Sequence, residues 1–291
     1  MAPTLGSVGV WSPALRFGDP AETADAAREL EELGYGTLWF PAFGEGAFAV
    51  ASALLEATTT VAVATGIRSV WVDTAERTAA AHADLANAHP GRFVLGLGAS
   101  HAPVVEMEAP DRQYGRPLEV VAEFLDELDR GTPPVPAGER VLAALGPRML
   151  ALARDRTSGA HPYLVTPEHT AQAREILGAG RVLAPEQTVV LETDATKARE
   201  VAREHLAIYL GLPNYVNNLR RLGFGDDDVT PGGSDRLVDG LVAWGGVDAV
   251  AARVQAHHDA GADHVTLQVL GEPAGGVRMA DLRLLSEVLA A

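Results

Sequence analysis

Eight times along the chain a short, nearly continuous apolar run is followed by a longer stretch with helical spacing, and this alternation limits the fold more than any other feature. The runs are VGVWS (8–12), TLWFP (37–41), VAVATGI (61–67), RFVLGLG (92–98), RVLAAL (140–145), GAHPYLV (159–165), QTVVLET (187–193) and HVTLQVL (264–270). A strand with one wet face alternates polar and apolar residues. These runs do not, so both faces are expected to be covered, as in a parallel sheet wrapped by helices. The helical stretches carry their own punctuation: Asp19 caps and Pro20 opens one that stops at Gly34. Eight such units in 291 residues predict an α/β fold, a (β/α)8 TIM barrel. Every Pro/Gly cluster is short and flanked by core-like elements, so residues 1–291 are expected to form a single domain.

One stretch exceeds an ordinary loop. Residues 211–245, between the seventh and eighth strands, contain YVNNLRRLGF, with Tyr215, Leu219, Leu222 and Phe224 near helical spacing. They also contain GGSDRLVDGLVAW, which reads as a second capped helix. Loops this long are usually functional, and a helical insertion serving as lid or interface is expected.

Charge and composition remove several classes. With 39 acidic against 23 basic residues the formal charge is −16, which disfavours nucleic acid as a partner. The absence of cysteine excludes a disulfide framework, thiolate metal ligation and a cysteine nucleophile. The first residues lack a basic, then apolar leader pattern, and no run is long and apolar enough to span a membrane. A cytoplasmic protein is the expectation.

In a barrel of this type chemistry belongs at the C-terminal ends of the strands. Those ends read Trp11-Ser12-Pro13, Phe40-Pro41-Ala42, Thr65-Gly66-Ile67-Arg68, Gly98-Ala99-Ser100-His101 and Leu145-Gly146-Pro147-Arg148, with His161, Tyr163 and Gln268 near the sixth and eighth. Small residues flanked by aromatics suit a flat ligand approached closely by backbone. No acid/histidine cluster has metal-ligand spacing, and no catalytic lysine or carboxylate marks an aldolase or isomerase. Gly146-Pro147 starts a helix whose first turn carries Arg148, an arrangement able to hold an anion. His101 can titrate near neutrality and assist proton transfer. His82, His89, His257 and His258 are expected on helix surfaces, and Trp71 in packing.

Taken in order, DAARELEELGYGTLWFP, TTTVAVATGI, HPGRFVLGLGASHAPVVE, LGPRMLALARDRTSGAHPYLVTPEH and AGADHVTLQVL resemble the bacterial luciferase-like superfamily, specifically its coenzyme F420-dependent oxidoreductases. The resemblance implies a homodimer, with a deazaflavin at the C-terminal face of the barrel and a small organic molecule as substrate. It implies a non-proline cis peptide between Gly66 and Ile67 behind the cofactor ring, with Arg68 following. It also implies that Gly98 and Ala99 are small so that the cofactor can pass, with Ser100 and His101 turned into the pocket. Gly146, Pro147, Arg148 and Met149 would complete the cofactor site. Several F420 enzymes carry an acid and a histidine just after the second strand. Here Pro41 and Ala42 stand there, and Glu45 is the nearest titratable group. His101 and Glu45 are therefore the catalytic candidates. The alternatives are an FMN-dependent monooxygenase on the same scaffold and a protein that binds F420 without turnover.

Overall fold

In the computed structural model the described residues are 3–271 and 276–289. The barrel strands are Val8–Trp11, Thr37–Phe40, Ala62–Thr65, Phe93–Gly98, Arg140–Leu142, Gly159–Ala160, Glu186–Val190 and Val265–Val269. Every pairing among them is parallel. The sheet closes through one continuous segment: Val182–Leu183 pairs with Gly159–Ala160, and three residues later Glu186–Val190 pairs with Val265–Val269. Helices cover the outside, as the unbroken apolar runs require. Trp39, Val94, Val141 and Ala184 pack with one another inside the barrel, whereas Leu38, Phe40, Leu95 and Leu142 belong to the layer between sheet and helices.

Several strands differ from the sequence expectation: the fifth and seventh end at Leu142 and Val190 rather than at 145 and 193, and Arg68–Ser69, Val182–Leu183 and Val242–Trp244 are short additional strands. The sixth stops at Ala160 rather than continuing to 165. Pro162 has no N–H to extend the ladder, and Leu164 turns into the left-handed region at φ 56°. The upper edge of Glu186–Val190 is thereby left free. Val242–Trp244, read from sequence as the end of a helix, pairs with it instead. Before that strand lie the helices Pro213–Arg221 and Asp235–Leu241. The closing helix is Met279–Leu289, and the last two residues assigned to it from sequence, 290 and 291, lie outside the described residues.

Caps account for several helix starts. The Asp19 carboxylate accepts from Ala21 N and Glu22 N, and Thr74, Thr166, Asp194 and Ser234 do the same for their helices. One carboxylate ties a helix to the sheet: Glu31 accepts from the backbone N–H groups of Thr59, Thr60 and Val61, at the entry to the third strand. Its burial alone would raise the carboxyl pKa, but these donors prevail and hold it at about 2. The folded pKa is depressed, so the stabilisation is present above the ordinary carboxylate range and is lost as pH falls toward 2. Glu31→Gln should therefore lower stability by about 1–3 kcal/mol at pH 7. Urea unfolding at pH 7 and pH 2.5 should show the gap between variant and parent shrinking in acid.

Candidate active site

A cavity of ≈ 460 Å³ opens at the C-terminal ends of the strands. Its floor and walls come from the ends of the first six strands, from the helix Ala102–Glu108, and from the ends of Ala195–Leu210 and Pro213–Arg221. The segment 211–245 thus contributes directly, through Leu212, Asn214 and Tyr215.

Of the residues singled out from sequence, Gly66, Ile67, Ala99, Ser100, His101, Gly146 and Met149 line this cavity. The Gly66–Ile67 peptide is cis, and Trp11 Nε1 donates to the Gly66 carbonyl over 3.2 Å. Trp71 is buried, as expected of a packing residue, and its Nε1 donates to Ala99 O, while the Tyr114 hydroxyl donates to Ser100 O.

The other five candidates lie elsewhere. Arg68 is buried beneath the loop after the second strand, donating to Ala42 O and Gly44 O and pairing with Asp73. Gly98 is not in the wall: a Cβ there would come within 2.9 Å of Ile67 Cδ1 and 3.0 Å of Ala143 Cβ, so packing already demands its smallness. Pro147 and Arg148 are exposed in the first turn of Pro147–Arg156. Glu45 is exposed outside the cavity, and its backbone carbonyl accepts from Arg16. The carboxylate that does line the cavity is Glu108, which sequence reading passed over. Its Oε1 accepts from Gly44 N, and Oε2 has no partner among the described residues.

Two histidines read as surface residues are in fact interior. His82 and His257 are buried, the first beside Glu139 and the second between Thr170 and Gln187. Neither lines the cavity.

Burial sets the protonation of the site. His101 is half-buried, and its burial lowers the imidazole pKa against a raising hydrogen bond with Asn214. Its ring lies 5.4 Å from that of Tyr215. Beneath, His161 stacks on Trp39 at 4.2 Å, and burial drives its pKa to about 4 although the Ala184 carbonyl opposes this. The ring is therefore neutral. Nδ1 lies 2.7 Å from that carbonyl and must carry the proton, which leaves Nε2 a bare acceptor without a partner. Tyr163 donates to Gln268 Oε1 over 2.5 Å and contacts the Tyr209 hydroxyl and His205 Nε2. Glu186, fully buried below, has its carboxyl raised to about 7 by that burial, opposed by the Thr188 hydroxyl and the Leu164 N–H.

Charge is scarce in this wall. Among the described residues no arginine or lysine lines the cavity, and Glu108 is its only carboxylate. Among the described residues no cluster of His, Cys, Asp and Glu could hold a metal ion, and no helix is long and apolar enough to cross a membrane. The arrangement offers an apolar aromatic slot, one neutral acceptor in its floor, and an imidazole and a carboxylate able to move protons.

No curated protein matches the chain in sequence. Solved structures do match in fold. An F420-dependent secondary alcohol dehydrogenase, in complex with an F420–acetone adduct, superposes with a TM-score of 0.75 at 15% identity over 99% of both chains. The coenzyme F420-dependent tetrahydromethanopterin reductase of Methanopyrus kandleri does so at 0.75 and 18% over 99% of both. A type II Baeyer–Villiger monooxygenase, the oxygenating constituent of 3,6-diketocamphane monooxygenase from a Pseudomonas putida plasmid in complex with FMN, gives 0.67 and 16% over 98% of both. Residues 3–264 match the family model of the luciferase-like monooxygenases. With that match across most of its length, the chain belongs to the luciferase-like family of oxidoreductases and monooxygenases.

Proposed function

We propose that the protein is a cytoplasmic, homodimeric F420-dependent oxidoreductase that transfers a hydride between F420 and a small organic substrate. The observation that carries this reading is the unpartnered His161 Nε2 in the floor of an apolar, aromatic-lined slot. The pyrimidinedione edge of a flavin or deazaflavin carries an imide N–H, and a neutral imidazole with a free lone pair suits it. Gly66, Ala99 and Gly146 let the backbone approach a flat ring. The first turn of Pro147–Arg156 has no side-chain cap, so its N–H groups remain available to an anionic tail. Among the described residues Arg148 and Arg221 flank that turn without a carboxylate partner, the Arg221 guanidinium lying over Gly146 and donating to Asn218 Oδ1. Two arginines not neutralised by a carboxylate among the described residues suit a tail with more than one negative charge, as F420 has. The two F420-dependent structures that superpose at a TM-score of 0.75 support the same choice.

When bound, the deazaflavin supplies a two-electron hydride carrier. The protein's part is to orient the ring against the Gly66–Ile67 backbone and to exclude water with the aromatic wall. His101, with Glu108 at the far end of the helix it caps, would exchange the accompanying proton. The FMN complex among the matching structures favours a second reading, an FMN-dependent monooxygenase.

Titration of the purified protein with F420 and separately with FMN tests the assignment. F420 should bind, and Arg148→Ala should weaken it by about 1.5–3 kcal/mol through loss of a charge-assisted hydrogen bond. Tight FMN binding without F420 binding would overturn the choice of cofactor. Stopped-flow oxidation of reduced F420 with enones, imines and ketones then separates an enzyme from a storage protein.

A further inference from the structure

Four of the chain's five tyrosines line the cavity, and their hydroxyls are not equivalent. Tyr163 has one proton, committed to Gln268 Oε1. The 3.0 Å contact between the Tyr163 and Tyr209 hydroxyls must therefore be donated by Tyr209. That leaves the Tyr209 oxygen with lone pairs but no spare proton. The Tyr215 hydroxyl, whose ring lies 5.1 Å from that of Tyr209 and nearly perpendicular to it, makes no hydrogen bond among the described residues. Its hydroxyl is a donor with no partner among the described residues, on a ring packed against that of the committed acceptor.

A ligand hydroxyl needs both: it donates to one oxygen and accepts from another proton. A carbonyl oxygen can use only the donor, and a carboxylate would meet a wall with no cation among the described residues and the Glu108 carboxylate in it. The entrance is apolar, since Phe43 and Ile208 line the cavity and remain 43% and 69% exposed.

We propose that the substrate is an uncharged, ring-sized apolar alcohol whose hydroxyl is held between Tyr209 and Tyr215. This names the substrate class of the cavity assigned above to an oxidoreductase, and it rests on that reading. The binding itself requires no cofactor.

The test is calorimetric titration of the cofactor-free protein with four probes of one skeleton: naphthylethanol, acetonaphthone, naphthoate and ethylnaphthalene. The alcohol should bind tightest, and naphthoate about tenfold or more weaker than the alcohol. Tyr215→Phe should weaken alcohol and ketone alike, by about fivefold. Tyr209→Phe should weaken the alcohol by a similar factor and leave the ketone unchanged, while ethylnaphthalene should be indifferent to both substitutions. The thermal melt of Tyr215→Phe should match the parent, and that of Tyr209→Phe, which gives up its bond to Tyr163, should fall by no more than about 2–4 °C. The proposal is overturned by failure of naphthylethanol to bind, by naphthoate binding as well as the alcohol, or by Phe variants that treat the alcohol as the parent does. Failure of F420 to bind in the separate titration would remove the cofactor reading and leave these four affinities to stand or fall on their own.

Discussion

His101→Ala is expected to reduce turnover about 100-fold or more, the usual scale for loss of a general acid or base. The expectation follows from position. His101 lines the cavity at the end of the fourth strand, and as N-cap of Ala102–Glu108 it makes no side-chain capping bond, so the imidazole is not needed to start that helix. Burial, the larger influence, lowers its pKa from 6.5, and the Asn214 contact only partly offsets this. The ring is accordingly neutral at pH 7 and can accept the proton released when a substrate is oxidised. In that direction the rate should fall as pH drops through the lowered pKa, because the protonated ring can no longer act as base, and the variant should lack this limb. F420 affinity should stay near the parent value, since neighbouring backbone and His161 are the proposed ring contacts. A variant with parental turnover and an unchanged pH profile would transfer the proton role to Glu108, whose Oε2 lacks a partner in the same wall.

The barrel was legible because strand burial on both faces writes itself into local composition. The Gly66–Ile67 turn and the His101 position followed from it, since both sit at strand ends. What escaped depends on side-chain direction. Arg68 and Ser69 extend as a short strand beside Leu97 and Gly98, and alternation sends Ser69 to the cavity and Arg68 away from it. Glu45 and Glu108 belong to different elements that meet through the Gly44–Glu108 contact, with a sequence separation of 64 residues. Tyr209 and Tyr215 lie on two helices whose inward faces are fixed by packing against the barrel. The signal available was the pairing of scarce tyrosines with a segment too long for a loop.

Gly96→Ala should destabilise the fold by about 3 kcal/mol or more, an effect reserved for severe overpacking. A strand that discards side chains invites a ligand explanation, in which Gly96 and Gly98 make room for a cofactor. The packing around Gly96 argues otherwise. A Cβ at this position would lie 1.9 Å from the Thr65 carbonyl oxygen, a backbone atom that no rotamer change can move. The same two residues are locked together by the Thr65 hydroxyl, which accepts from Gly96 N over 2.8 Å and donates to Gly96 O over 2.9 Å. Neighbouring strands must therefore separate, breaking both bonds, to admit one methyl group. Gly115→Ala is the control, because a Cβ there meets nothing within 4 Å, and it should change stability by no more than about 0.5 kcal/mol. Urea unfolding of the three proteins without cofactor decides between the explanations. If the glycine serves only a ligand, Gly96→Ala will unfold with the parent and lose cofactor affinity alone. If it serves the closure of the barrel behind the Gly66–Ile67 turn, the loss of stability appears before any ligand is added.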